Sequence, residues 1–332
     1  MKVPFSRLLI AGLLAAMLAN PQATAASEIA TRKVAILVFD KVENIDFTGP
    51  AQVFHVAGYE TFTVAAAAAP VQASAGLTVV PRYTFANAPH ADVLVVPGGD
   101  VDDTMMDSAT LSWIEQEAAR SQHVMSVCNG AFVLTHAGLL DGLPATTTRG
   151  NVAALKHHSP AVHVVRDQRV VDTGRIITTG GFSAGIDGAL HVVARLEGDA
   201  KARYVAQMLE YDWRPDAGYR PGTEALRHLP MFLDQKLGAF AKVHKIIESS
   251  GDADHWTISF LLGTEQLRTS TLKQIASLLS SYGNWGEPNL RLDAAHWTFR
   301  DDEGRPWTSS ARLDSAGHMA GETVLTISLR AK

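Results

Sequence analysis

Ser126-Val127-Cys128-Asn129-Gly130 decides how the rest of this chain reads. Cys128 is the only cysteine among 332 residues. Residues 123–127 before it read as a short buried strand, and Ala131-Phe132-Val133-Leu134 after it as a helix start. A nucleophile on so sharp a strand-to-helix turn needs small neighbours two residues to either side, and Ser126 and Gly130 are small. The helix start directs unpaired N–H groups and a positive dipole end at the sulfur, which favours thiolate over thiol. The competing reading is a small buried hydrophobe, because free cysteine is among the most buried residue types. Both readings stay open on the pentapeptide alone.

Working outward, the chain starts with Lys2 and Arg7, an apolar stretch from residue 8 to 19, and Ala23-Thr24-Ala25. Positive start, short apolar core and small-residue site read as a secretory leader over residues 1–25, with a periplasmic or secreted protein beginning at Ala26. The apolar stretch is shorter than the about 20 residues a membrane span needs, so no anchor is expected after cleavage. Loss of Lys2 and Arg7 would move the formal charge from −5 to −7. Nothing in that balance suggests a nucleic-acid or anionic-membrane partner. A lone cysteine cannot form a disulfide within the chain, and in an oxidising compartment it is exposed to overoxidation. Cys128 is therefore kept for chemistry or buried beyond reach.

Val34-Ala35-Ile36-Leu37-Val38-Phe39 is a continuous apolar run of the kind a doubly covered parallel strand shows. A helix is expected from Thr48-Gly49-Pro50, with Thr48 as cap and Pro50 in the first turn. Further strands are expected over 61–67, 77–80, 93–96, 123–127 and 176–179. Helices are expected over 111–120, 129–137, 184–196 and 200–210. That alternation predicts an α/β fold, a doubly wound, mostly parallel sheet with helices on both faces. Chemistry in such sheets sits at the carboxyl ends of the strands. Residues 213–230, rich in Pro and Gly, read as a linker. Residues 231–332 read as a small α+β unit, with helices over 232–248 and 264–280 and strands over 255–262, 296–300 and 323–329. Trp256, Trp285, Trp297 and Trp307 in that unit read as core or edge packing.

A cysteine nucleophile needs a group that sets its protonation and donors for developing oxyanion charge. Asp46, just past the first strand, is the candidate acid/base; its structural alternative is a cap on the helix near Thr48. The backbone N–H groups of Gly98, Gly99 and Asn129 are the candidate donors. His157-His158 and His163 lack a suitably spaced carboxylate or cysteine and read as solvated surface, so no metal or cofactor is expected. His136, His191 and Asp187 read as helix residues of the scaffold.

Five blocks, in one order over about residues 33–212, resemble the ThiJ/PfpI superfamily. They are Asn44-Ile45-Asp46-Phe47-Thr48-Gly49-Pro50, Val95-Val96-Pro97-Gly98-Gly99, Ser126-Val127-Cys128-Asn129-Gly130-Ala131, Ala137-Gly138-Leu139-Leu140-Asp141-Gly142 and the run from Thr179-Gly180-Gly181 to Asp187. The resemblance implies a glutamine-amidotransferase-like, flavodoxin-like α/β domain over residues 26–212. Within the superfamily the chain is most similar to the branch containing isonitrile hydratases and the amidotransferase-like domains of AraC-type regulators. It implies a small-molecule substrate and a homodimer. It also implies that Cys128 attacks an isonitrile carbon while Asp46 shuttles a proton and helps activate water, giving an N-substituted formamide.

Two positions depart from that branch: Asn129 stands where Thr is usual after the nucleophile, and Thr147-Thr148-Arg149-Gly150, or in the other frame Thr146-Thr147-Thr148-Arg149, stands where a Thr-Thr-His-Trp motif is usual. No His and Glu follow the Gly180-Gly181 pair as in amidotransferases, and no His follows Cys128 as in PfpI-type peptidases. Deglycase relatives usually carry Glu in the first-strand loop; Glu43 is near, but Asp46 fits the block better. Residues 231–332 hold 11 Lys+Arg against 12 Asp+Glu, with no basic recognition helix. The expected function is hydration or hydrolysis of a small electrophilic substrate. The alternative is a non-catalytic envelope protein, binding or redox-sensing, with an inherited cysteine elbow.

Overall fold

Strands buried on both faces need helices above and below them. The chain meets that need with two separate apolar layers. This computed structural model describes residues 31–215, 223–263, 269–282, 285–301, 303–315 and 322–332. The expected leader and residues 216–222 of the expected linker lie outside them.

The first part contains strands β1 (Lys33–Leu37), β2 (Glu60–Ala65), β3 (Tyr83–Thr84), β4 (Val93–Val96), β5 (His123–Val127), β6 (Val170–Asp172) and β7 (Ile176–Thr179). Its helices are α1 (Asn44–Ala57), α2 (Ser108–Arg120), α3 (Gly130–His136), α4 (Val152–His158), α5 (Ser183–Glu197) and α6 (Asp199–Met208). The strands form one sheet in the order β6-β7-β5-β4-β1-β2-β3, parallel except at its β6 edge. Alternate residues serve opposite layers. Val34, Ile36, Val93 and Val95 pack with Phe54, Leu190 and Val193 of α1 and α5. Ala35, Leu37, Leu94 and Val96 pack with Ile114 and Leu134 of α2 and α3. Because the strands are parallel, the loops after β1, β4, β5 and β7 meet at one end of the sheet. There Glu43 N–H donates to the Gly98 carbonyl at 2.9 Å, and Cys128 N–H to the Thr179 and Gly180 carbonyls, both at 3.2 Å.

Several elements differ from the expectations above. Helix α1 begins at Asn44, so Asp46 lies in its first turn; the Thr48 hydroxyl is not a cap but donates back to the Asn44 carbonyl at 2.7 Å. The strand expected over 77–80 is Thr78–Val79, which pairs antiparallel with Val71–Gln72 outside the main sheet. Residues 223–230, expected as linker, instead carry the helical turn α7 (Thr223–Leu226), with Ala225 and Leu229 buried in the C-terminal core. The helix expected over 232–248 is only α8 (Leu233–Leu237), followed by β8 (Lys242–Gly251). Gly238 follows the last helical residue, and β-branched Val243, Ile246 and Ile247 suit a pleated strand better than a helix.

Beyond β8 come β9 (His255–Gly263), α9 (Thr269–Ser280), β10 (Asn289–Leu290), β11 (Ala294–Arg300), β12 (Pro306–Ser315) and β13 (Glu322–Ala331). They form an antiparallel sheet in the order β8-β9-β13-β12-β11-β10, with α9 on β11 and β12. Trp285, Trp297, Phe299 and Trp307 are buried together, with Trp285 and Phe299 stacked at 5.3 Å. The Trp297 indole donates to Ser280 Oγ at 2.9 Å and that of Trp307 to Asp301 Oδ2 at 3.0 Å, so both polar edges are satisfied.

The elbow is held from below by close backbone approach. A Cβ on Gly130 would lie 2.0 Å from the Val96 carbonyl oxygen, which is fixed in β4. Gly130→Ala should therefore destabilise the fold by about 2–3 kcal/mol or more, a cost of overpacking. A thermal melt of the variant should show a clearly lowered midpoint; an unchanged midpoint would mean that β4 yields.

Candidate active site

Cys128 follows β5 directly, at φ 55°, in the left-handed region that non-glycine residues seldom enter. Asn129 returns to φ −67° and ψ −6°, and α3 starts at Gly130. This is the sharp turn expected of the pentapeptide. The strained residue is held by its N–H bonds to the β7 end and by the Thr147 hydroxyl, which donates to the Cys128 carbonyl at 2.7 Å. Strain retained in this way is common at functional sites.

Asp46 is fully buried. Its Oδ1 accepts the Phe182 peptide N–H at 2.9 Å, while Oδ2 faces Gly98 and the thiol with no well-aligned donor. Phe182 sits at φ 57°, a second strained residue, just before α5. The missing side chain of Gly98 is where the site converges. A Cβ there would be 2.6 Å from Asn129 N, 2.7 Å from Cys128 Cβ and 2.9 Å from Asp46 Oδ2. Gly181 plays the same part opposite, where a Cβ would be 3.0 Å from both Cys128 Sγ and Thr148 Oγ1. The structure thus brings Cys128, Asp46, Gly98 and Asn129 together. Gly99 is tied elsewhere: it bridges to Val42, and its carbonyl accepts the Asn129 side-chain amide at 2.9 Å. The Asn129 side chain in turn accepts from Asn151 Nδ2 at 2.7 Å, so it orients the loop rather than reaching for the sulfur.

The electrostatics correct one expectation. The helix start does not make the thiol acidic. Burial, and then the Asp46 charge, push the Cys128 pKa well above its ordinary value, against weaker help from the Asn129 N–H and the Thr148 hydroxyl. Burial is the largest of these influences, and it disfavours the charged thiolate. Burial likewise raises Asp46 to about 7; the Phe182 N–H opposes this and the Glu43 charge adds to it. Thiol and carboxyl are a coupled pair that holds protons near neutral pH.

Thr148 and Phe182 were not among the expected site residues. The available signal for Thr148 was the run Thr146-Thr147-Thr148, three hydroxyl residues that are all buried. Nothing in the sequence pattern marks Phe182, because it acts through its backbone. Met231, the first residue of the expected C-terminal unit, also reaches the site: Thr148 Oγ1 lies 4.0 Å from its Sδ. The remaining candidates are structural. Asp187 accepts from Arg169 Nε and from the Tyr211 hydroxyl, each at 2.9 Å, and His191 pairs with Asp172 at 2.8 Å. Among the described residues no group of three or more His, Cys, Asp or Glu is placed to hold a metal ion.

Residues 32–195 match the DJ-1/PfpI family. The chain is 39% identical over 181 residues to isonitrile hydratase of Pseudomonas putida, covering 54% of this chain and 78% of that enzyme. The chain belongs to the DJ-1/PfpI family. A solved ThiJ/PfpI family protein from Pseudomonas syringae is 32% identical with a TM-score of 0.52, over 60% of this chain and 83% of that one. The HTH-type transcriptional regulator GbdR of Pseudomonas aeruginosa is 28% identical over 142 residues, 43% of this chain and 38% of the regulator. The family match ends inside α5, so this DJ-1/PfpI chain carries its C-terminal sheet beyond it.

The raised Asp46 pKa has a stability consequence with a definite sign. The unfolded carboxyl loses its proton near 3.8, the folded one near 7. The stabilising contribution is therefore full below pH 3.8 and is lost as pH rises to about 7. Asp46→Asn keeps the acceptor for Phe182 and removes the charge. It should raise stability at pH 8 by up to roughly 4 kcal/mol and change little at pH 3.5, read by denaturation at both pH values. The same variant should alkylate faster at Cys128 at pH 8, because the opposing charge is gone. A thiol indifferent to Asp46 would separate the two groups.

Proposed function

We propose that this chain is a cysteine-dependent enzyme that hydrates isonitriles to N-substituted formamides, with Cys128 as nucleophile and Asp46 as acid/base. The observation that carries the reading is the convergence of the buried thiol and buried carboxyl on Gly98, where burial raises the proton affinity of both and the Asp46 charge raises that of the thiol further. The similarity to isonitrile hydratase over most of that enzyme's length supports the same reaction. Export, from the leader-like residues 1–25, is part of the reading.

An isonitrile carbon takes a nucleophile and a proton on the same atom. Asp46 as carboxylate accepts the thiol proton and returns it to that carbon as the C–S bond forms, giving a thioimidate, R–N=CH–S. Water then adds across the C=N bond, its oxygen to carbon and a proton to nitrogen, with Asp46 relaying the proton. Collapse breaks the C–S bond, leaves R–NH–CHO and returns the remaining hydroxyl proton to sulfur. A carboxyl near pKa 7 both accepts and gives protons at neutral pH, as such a relay needs. The Asn129 N–H and the Gly98 backbone face the reacting atoms, positioned to stabilise charge as it develops.

The buried, weakly acidic thiol also supports a second reading, a non-catalytic binding scaffold. A hydration assay with alkyl and aryl isonitriles, following formamide by mass, separates the two. Wild type should turn over, and Cys128→Ser should lose at least about 1,000-fold in kcat/KM. Asp46→Asn should lose at least about 100-fold, the scale of general acid–base catalysis. Full turnover by Cys128→Ser would sink the enzymatic reading.

A further inference from the structure

The thiol is only 5% exposed, and the space beside it is bounded by the C-terminal unit. A cavity of about 460 Å³ is lined by Thr148 and Gly181, the two residues that flank the sulfur, and by Phe182. Its far wall is Leu229, Phe232, Ile246, Ile258 and Phe260. All five lie beyond residue 195, where the family match ends. Phe232 is itself strained, at φ 55°, and meets Phe182 edge-to-face at 6.4 Å. Two strained non-glycine residues, Phe182 and Phe232, thus line a chamber that reaches the Cys128 sulfur through its neighbours Thr148 and Gly181.

We infer that the C-terminal unit is the specificity wall of the reaction chamber, selecting substrates whose reactive carbon carries a neutral apolar substituent of aryl size. The inference rests on Cys128 being the reacting atom. Size comes from the volume: an aliphatic-lined cavity of about 150 Å³ already holds a benzene ring, so this one takes a ring and its reactive head together. Polarity comes from the wall, which is aliphatic and aromatic from Leu229 to Phe260. Neutrality comes from the charges. Arg169 is already held by Asp187 and donates to Ser183 Oγ at 3.1 Å, while Arg149 and Asp234, on the same lining, are of opposite sign. No excess charge is left to select an ionic ligand.

The test uses the full chain and reads labelling rather than hydration. Chloroacetamide and N-benzyl chloroacetamide share one warhead, so the ratio of their rates at Cys128, measured at pH 9 by intact mass, reports only the substituent. Wild type should prefer the benzyl reagent by about tenfold or more, the scale expected for burying a phenyl ring. Phe232→Ser and Ile246→Ser, at wall positions that are 52% and 47% exposed and so tolerant of change, should bring the ratio of the two rates close to one. Equal rates in wild type, or a preference surviving both substitutions, would overturn the inference. A chain that turns over no isonitrile yet keeps the preference supports the wall and sinks the hydratase reading instead.

Discussion

One backbone hydrogen bond holds the site in register: the Phe182 N–H given to Asp46 at 2.9 Å. It ties the first turn of α1 to the start of α5 across the elbow, and it needs Phe182 in a left-handed conformation to do so. It is the one well-aligned donor to that carboxylate. Remove it and the buried charge would keep only the weaker help of the Cys128 thiol and the Gly98 backbone against its lost hydration. The bond leaves Asp46 able to ionise, but only near neutrality. The thiol is held in the same balance, because the charge that accepts its proton also resists its ionisation.

Much of the first part was legible because parallel strands buried on both faces leave continuous apolar runs. Strand β5 falls on the expected residues 123–127, and the turn at Cys128 has the small neighbours it requires. The misplaced elements fail for local reasons. Thr78–Val79 is apolar enough for a strand, but its partner is a neighbouring two-residue strand rather than the sheet. The C-terminal part was read less well. Residues 232–248 mix long side chains that suit a helix with the β-branched Val243, Ile246 and Ile247, and the pairing of β8 with β9 decides for a strand. That pairing is tertiary, and propensity cannot supply it.

The same contrast holds at the site. Cys128 and Asp46 could be named because their side chains are ionisable groups, visible as such in the sequence. Phe182 could not, because it contributes a peptide N–H at an unusual φ, and side-chain identity does not report that. Met231 and Phe232 were hidden by the prolines and glycines before them, which suggest a spacer. Met231 and Phe232 nevertheless pack against Thr148 and Phe182. The proton affinity of the thiol was misjudged for a related reason. A helix start is visible in sequence, whereas the depth at which it is buried is not.

The outer strand β8 has one further consequence. It is exposed along nearly its whole length, and its Ile246 lines the chamber. A long exposed edge of this kind invites other chains to add a strand. Here the pairing of β8 with β9 slips twice, between Val243 and Lys245 and between Ile246 and Glu248. Those bulges, with lysines at 242 and 245, break the regular ladder that an incoming strand would copy. The irregular edge thus lets Ile246 face water without offering a regular template to an incoming strand.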